Sequence, residues 1–248
     1  MIHIIPAILA KDEADFLVQL TRVRSFAPKV HIDVMDGTFV PHQTWAPPEK
    51  MRQLLDGLPF EVHLMVSNPE HLAPVWIAAG AELVSIHAES TTREQMICRA
   101  TSEDCSKLSL AINPETPISH VIPDLEAYEG VTVMSVPPGK SGQTLDDIAL
   151  EKIRAIKSYR PGVTVCIDGG IKADNVRRAV EAGAEHIVVG SAIMKASNPE
   201  EAYRQILEAA TQPLNDETKP DKDNFTPPPE PKRQEQVEEI SPKPDSTE

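Results

Sequence analysis

His31 and Asp33 stand two residues apart in a run, Val-His-Ile-Asp-Val-Met (30–35), that reads as a β-strand. Val30, Ile32 and Val34 are apolar and β-branched, so the alternation puts His31, Asp33 and Met35 together on the other face. An imidazole and a carboxylate pointing the same way can grip one divalent metal ion. Asp36-Gly37 is a turn signal, which places the pair near the carboxyl end of the strand. Phe-Glu-Val-His-Leu-Met-Val (60–66) repeats the device with His63 and Met65. A third run, 163–168, ends on Asp168 just before Gly169-Gly170. If these ends converge, His31, Asp33, His63 and Asp168 form one site suited to a single Zn²⁺, Fe²⁺, Mn²⁺ or Co²⁺. One inward His would ordinarily be core filler. Two buried carboxylates are harder to dismiss, because without a cation each costs several kcal/mol.

The elements that must bring these ends together alternate along the chain. Short apolar runs predict strands over 2–9, 30–35, 60–66, 83–88, 108–112, 131–136, 163–168 and 186–190. Helical spacing and punctuation predict helices over 12–26, 49–55, 69–80, 91–103, 117–125, 145–159, 174–182 and 199–210. In the first of these the apolar face is Phe16, Leu17, Leu20 and Val23; in the sixth it is Ile148, Leu150, Ile153 and Ile156. Eight apolar strands alternating with helices imply parallel βαβ units and an α/β (β/α)8 TIM barrel. A doubly wound open sheet would carry a glycine-rich turn after the first strand, and Pro6-Ala-Ile-Leu-Ala10 has none.

Composition bounds the function. The 248 residues include 40% hydrophobic and only 4% aromatic residues, so the core should be aliphatic. A net charge of −14 excludes nucleic acid and anionic membrane surfaces as expected partners. Cys98, Cys105 and Cys166 show no CxxC and no paired framework, which fits a reducing cytoplasm. The N-terminus lacks the pattern of a signal peptide, and no apolar run reaches the roughly 18 residues of a membrane span. Residues 213–248 differ: eight prolines and ten acidic against five basic residues surround four large apolar ones. Such a segment buries too little to offset its ordering entropy, so it reads as a disordered acidic, Pro-rich tail after a catalytic barrel of residues 1–212.

In a barrel of this kind the strand carboxyl ends line the active site, and the loops after strands seven and eight often take phosphate on backbone N–H groups. Here those loops hold Gly169, Gly170, Gly190 and Ser191. A metal, two carboxylates and a phosphate site suit proton abstraction next to the carbonyl of a phosphorylated sugar. One Asp would remove the proton on one face, and the other would return it on the opposite face with inverted configuration.

The motifs His-Ile-Asp-Val-Met-Asp-Gly-Thr-Phe-Val-Pro (31–41), Val-His-Leu-Met (62–65), Met-Ser-Val-x-Pro-Gly (134–139) and Ile-Asp-Gly-Gly (167–170) resemble those of the ribulose-phosphate 3-epimerase family over residues 5 to about 210. The resemblance implies a metal-dependent epimerase of the pentose phosphate pathway, interconverting D-ribulose 5-phosphate and D-xylulose 5-phosphate through an enediolate. It implies metal ligands at His31, Asp33, His63 and Asp168, acid/base roles for Asp33 and Asp168, and phosphate contacts at Gly169, Gly170, Gly190 and Ser191. Met35, Met65 and Met134, which read bottom-up as core packing, match methionines the family sets around the enediolate. Homo-oligomers are common in the family. Two departures concern substrate fit. Ala7 stands where the family has a substrate-touching Ser, and the lid loop 137–143, with Gly139 and Gly142, has one Gly fewer and one Pro more, with Lys140 as a further expected phosphate contact. The alternatives are a 3-epimerase of a six-carbon 2-ketose 6-phosphate such as allulose 6-phosphate, and a non-catalytic sugar-phosphate-binding barrel.

Overall fold

The computed structural model describes residues 1–90, 107–139 and 142–212. The expected helix over 91–103, the Lys140 contact and the tail from 213 lie outside the described residues. Eight parallel strands close into a barrel in sequence order: β1 His3–Ile8, β2 Val30–Met35, β3 Phe60–Met65, β4 Val84–His87, β5 Leu108–Ile112, β6 Gly130–Met134, β7 Thr164–Asp168 and β8 His186–Val189. β1 pairs with β8 as well as with β2, so the described sheet has no free edge.

Around it run α1 (Glu13–Val23), α2 (Pro48–Leu55), α3 (Pro69–Ala78), α4 (Asp147–Tyr159), α5 (Val176–Ala182), α6 (Ser191–Met194) and α7 (Pro199–Thr211). Their starts are chemically marked. Asp12, Asp146 and Asn198 each accept a backbone N–H in the first turn of α1, α4 and α7, satisfying donors that the helix itself leaves bare. The main core lies between barrel and helices. Outward strand residues such as Ile32, Leu64, Val133 and Ile187 pack there on Phe16, Trp76, Ile153 and Val176.

Three expectations are corrected. Between β5 and β6 there is no α-helix over 117–125 but two 3₁₀ segments, Ile118–His120 and Ile122–Ala127; Pro123 removes a donor that a continuous helix needs in its interior. Leu17 and Ile148 point to solvent, and the buried faces are Phe16, Leu20 and Val23 on α1, and Ala149, Leu150, Ile153 and Ile156 on α4. The stripe facing the sheet follows the i, i+4, i+7 positions, 16, 20 and 23 on α1 and 149, 153 and 156 on α4, and Leu17 and Ile148 fall outside it. α6 is an additional one-turn helix that follows Gly190.

The barrel interior is polar for a core. His31, Asp33, Glu61, His63, Ser85, His87, Ser109 and Thr132 are all buried. The hydroxyls of Ser85 and Ser109 lie 2.9 and 3.2 Å from that of Thr132, which satisfies the floor internally. By contrast the outer layer depends on apolar packing, with Trp76 of α3 set edge-on against Phe60. Trp76→Ala is expected to lower the unfolding free energy by about 3–5 kcal/mol, measured by urea denaturation. A loss below about 1 kcal/mol would show that α3 is not held by this contact.

Candidate active site

Register brings the first three polar side chains together. β2 and β3 pair with Asp33 opposite His63, and His31 lies two residues back on the same inward face. Thr44 pins the end of β2: its hydroxyl donates to the Asp33 carbonyl at 2.8 Å and accepts the Met35 N–H at 2.9 Å. Asp36 accepts the N–H groups of Thr38, Phe39 and Ser67, each at 2.8 Å, tying the β2 loop to the end of β3. Asp168 arrives from the last position of β7, opposite Met134 of β6. The Ser135 N–H donates to the Asp168 carbonyl at 2.8 Å, and the Ser135 hydroxyl donates to the Gly169 carbonyl at 2.9 Å.

The result is one compact group. Asp33 Oδ1 lies 3.4 Å from His31 Nε2 and 3.3 Å from His63 Nδ1, and Asp168 Oδ2 lies 3.3 Å from the same His63 nitrogen. One ligand atom from each of the four residues lies within 4.8 Å of all the others. His31 Nε2, Asp33 Oδ1 and His63 Nδ1 are buried and have no hydrogen-bond partner. Buried polar atoms are normally satisfied. Three that face one another, in a two-imidazole, two-carboxylate set, have the chemistry to satisfy one divalent cation. The His31 ring is held from behind by Glu61, whose Oε1 lies 2.8 Å from His31 Nδ1.

The charges are mutually stabilising. Burial works against ionisation of Asp33, but the charge of the His31 and His63 rings, 3.4 and 3.3 Å away, holds its carboxyl well below the usual range. Burial likewise works against charging the rings, yet Asp33 and Glu61 raise His31 well above 6.5, and Asp168 and Asp33 raise His63.

Above the group opens a pocket. It is lined by Asp33 and Asp168 and by all ten expected substrate-binding residues: Ala7, Met35, Met65, Met134, Gly139, Gly142, Gly169, Gly170, Gly190 and Ser191. His31 and His63 lie beneath it, in the barrel. The three methionines are buried, and Met35 and Met65 pack with Val40 in a small cluster apart from the main core. Gly169 and Gly170 have φ of +106° and +68°, and a Cβ at Gly170 would sit 2.3 Å from the Leu145 backbone nitrogen. Only glycine fits that turn. Leu9, Val136, Pro137, Pro138, Gln143, Ile171 and Lys172 also line the pocket. Pro137, Pro138 and Gln143 belong to the expected lid loop, whereas Leu9, Ile171 and Lys172 carried no signal of their own in the sequence. Sequence reasoning also missed Glu61, His87 and Glu89, although His87-x-Glu89 repeats at the end of β4 the spacing of His31-x-Asp33.

The model of the ribulose-phosphate 3-epimerase family matches residues 3–194. The chain belongs to this family. A ribulose-phosphate 3-epimerase of Mycobacterium tuberculosis is 36% identical over 213 residues, covering 84% of this chain and 92% of the relative. That of Bacillus subtilis is 35% identical over 217 residues, covering 83% and 98%. Among solved structures, 3-hexulose-6-phosphate synthase from Salmonella typhimurium superposes with a TM-score of 0.65 at 16% identity, covering 84% of this chain and 98% of that one, a likeness of fold. A divalent metal is the cofactor of ribulose-phosphate 3-epimerases, and the His31, Asp33, His63 and Asp168 group fits it.

The raised imidazoles give the metal a pH dependence. Without metal, His31 and His63 hold protons above pH 6.5, whereas a ligating nitrogen must be bare. Cation binding therefore displaces protons, and affinity is expected to rise with pH until the rings have lost their protons, above 6.5. The stability that each raised imidazole contributes is complete below 6.5 and is lost as pH climbs through its folded-state value, so the metal-free protein should melt earlier in that range. Calorimetry of Co²⁺ binding in buffers of different ionisation enthalpy reads the proton release; buffer-independent heats would contradict it.

Proposed function

We propose that the chain is a metal-dependent 3-epimerase of D-ribulose 5-phosphate and D-xylulose 5-phosphate, with Asp33 and Asp168 as its acid/base pair. The observation that carries this reading is that both carboxylates approach the same His63 nitrogen at 3.3 Å and line one pocket together with Gly169, Gly170 and Gly190. His31, Asp33, His63 and Asp168 would hold the metal ion. When bound, a divalent cation supplies Lewis-acid stabilisation of the negative charge that develops on the substrate oxygens.

The chain's own groups do the rest. Backbone N–H groups at Gly169, Gly170, Gly190 and Ser191 take the phosphate, where the absence of side chains lets an anion approach. That fixes the sugar chain between the carboxylates. One of them takes the C3 proton from one face, leaving an enediolate, and the other gives a proton to C3 from the opposite face. Reversal of the roles runs the reaction backward. Met35, Met65 and Met134 wall the pocket with apolar, polarisable thioethers, which exclude water without competing strongly as ligands. Ala7 offers no hydroxyl to the substrate, and the loss amounts to about 1 kcal/mol of binding.

The remaining assignments belong to the same reading. The catalytic barrel comprises residues 1–212 and the tail 213–248. The protein works in the cytoplasm as a homo-oligomer, with no nucleic-acid or membrane partner. Support comes from the free, buried Cys166 for a reducing compartment and from Leu17 and Val18, exposed side by side on α1, for self-association.

Incubation of the metal-loaded protein with ribulose 5-phosphate in D₂O, followed by NMR, should show deuterium entering C3 as xylulose 5-phosphate forms. Exchange only with a six-carbon 2-ketose 6-phosphate would move the assignment to that substrate, and no exchange with either would leave a binding protein. Asp168→Asn should lower turnover about 10²–10⁴-fold with the melting temperature little changed; near-normal turnover would remove Asp168 from the acid/base pair. Deletion of residues 213–248 should leave activity and melting temperature as they are, and a large fall in either would reject the boundary.

A further inference from the structure

Behind His63 stands a second imidazole that the four-residue group does not use. His87, on β4, is fully buried, and its Nε2 lies 2.8 Å from His63 Nε2. The rings are within 22° of parallel with centroids 4.9 Å apart, as for two imidazoles joined tip to tip. His87 Nδ1 in turn lies 3.0 Å from Glu89 Oε2. The other oxygen of Glu89 accepts the Asn113 N–H at 2.9 Å and the Thr116 hydroxyl. The turn that carries Asn113 and Thr116 is clamped from α4. The Lys152 ammonium donates to the carbonyls of Asn113, Pro114 and Thr116 at 2.8, 2.6 and 2.7 Å.

Proton accounting along this chain has one solution. His63 turns Nδ1 toward Asp33 and Asp168, and a nitrogen that ligates a cation carries no proton. The single ring proton of neutral His63 then sits on Nε2 and is donated to His87 Nε2. A neutral His87 that accepts there must carry its own proton on Nδ1. Glu89 Oε2 accepts that proton, while Oε1 is already an acceptor twice over. His31 reaches the same end directly: its Nδ1 faces Glu61, leaving Nε2 for the cation. Each imidazole of the metal group is thus backed by a carboxylate, one at first hand and one through a second ring.

We infer that Glu89 and His87 are positioning residues. Glu89, acting through His87, fixes the His63 tautomer and ring orientation that leave Nδ1 bare for a divalent cation. This rests on the metal-centre reading above and extends it to residues on β4 and the turn after β5.

The test uses the full chain and two probes. Co²⁺ affinity is measured by competition with a chromophoric chelator. Histidine tautomers are read from ¹⁵N shifts of protein labelled at histidine, both metal-free and loaded with Zn²⁺. In the unaltered protein His87 should hold its proton on Nδ1 in both states. Glu89→Leu should bind Co²⁺ about ten- to a hundred-fold more weakly and lose the fixed Nδ1–H tautomer. Glu89→Asp, which keeps the carboxylate, should recover most of both. If Glu89→Leu does not fold, Glu89→Gln keeps the shape but cannot accept hydrogen bonds at both ends, and should show the same loss in smaller degree. A His87 proton on Nε2 in the unaltered protein, or Co²⁺ binding by Glu89→Leu as tight as normal, would overturn the inference. If the unaltered protein binds no Co²⁺, the metal-centre reading fails instead, and the His87 tautomer in the metal-free protein still decides the relay.

Discussion

Four ionisable side chains meet at one point inside a barrel that is otherwise closed to water, and much of the interior is arranged around that cost. Transferring two carboxylates and two imidazoles from water is unfavourable unless their charges oppose one another at short range. The pairing of Asp33 with His63 across β2 and β3, and the arrival of Asp168 from β7, supply that opposition within 3.4 Å. Even so, three buried atoms of the group find no protein partner, and a divalent cation is the species that satisfies all three together.

The same requirement accounts for what surrounds the group. Glu61 stands behind His31, and His87 with Glu89 stands behind His63, so neither ring is free to rotate its ligating nitrogen away. Below, Ser85, Ser109 and Thr132 satisfy one another and require nothing from the site. Above, the pocket divides its work. Asp33, Asp168 and the methionines come from strands, while Gly169 and Gly170 form a turn that only glycine can make.

Legibility from sequence followed the range of the physics involved. Strand alternation is local, so 30–35 and 60–65 were readable together with their inward faces, and Gly169-Gly170 was readable as the loop that ends the seventh strand. Helix faces were less so. Leu17 and Ile148 look like core residues by composition but face water, because the direction in which a helix presents its stripe depends on the sheet beneath it. The segment between β5 and β6 has enough apolar residues for a helix, but Pro123 removes a donor from its interior and it forms 3₁₀ turns. Lys152 looks like an ordinary solvent-facing lysine until the three carbonyls around its ammonium are seen, from a turn nearly forty residues away.

The sequence by itself determined which side chains were available and which way each would face from its strand: His31 with Asp33, His63 with Met65, and Asp168 at a strand end before two glycines. Those are consequences of a two-residue repeat and of backbone preferences that operate over a few residues. Only the tertiary structure decided that the ends meet, that Asp33 and Asp168 converge on one nitrogen of His63, and that His87 and Glu89 close the chain behind it. Barrel closure brings together residues more than a hundred positions apart, and the register that sets their spacing is a property of all eight strands rather than of any one.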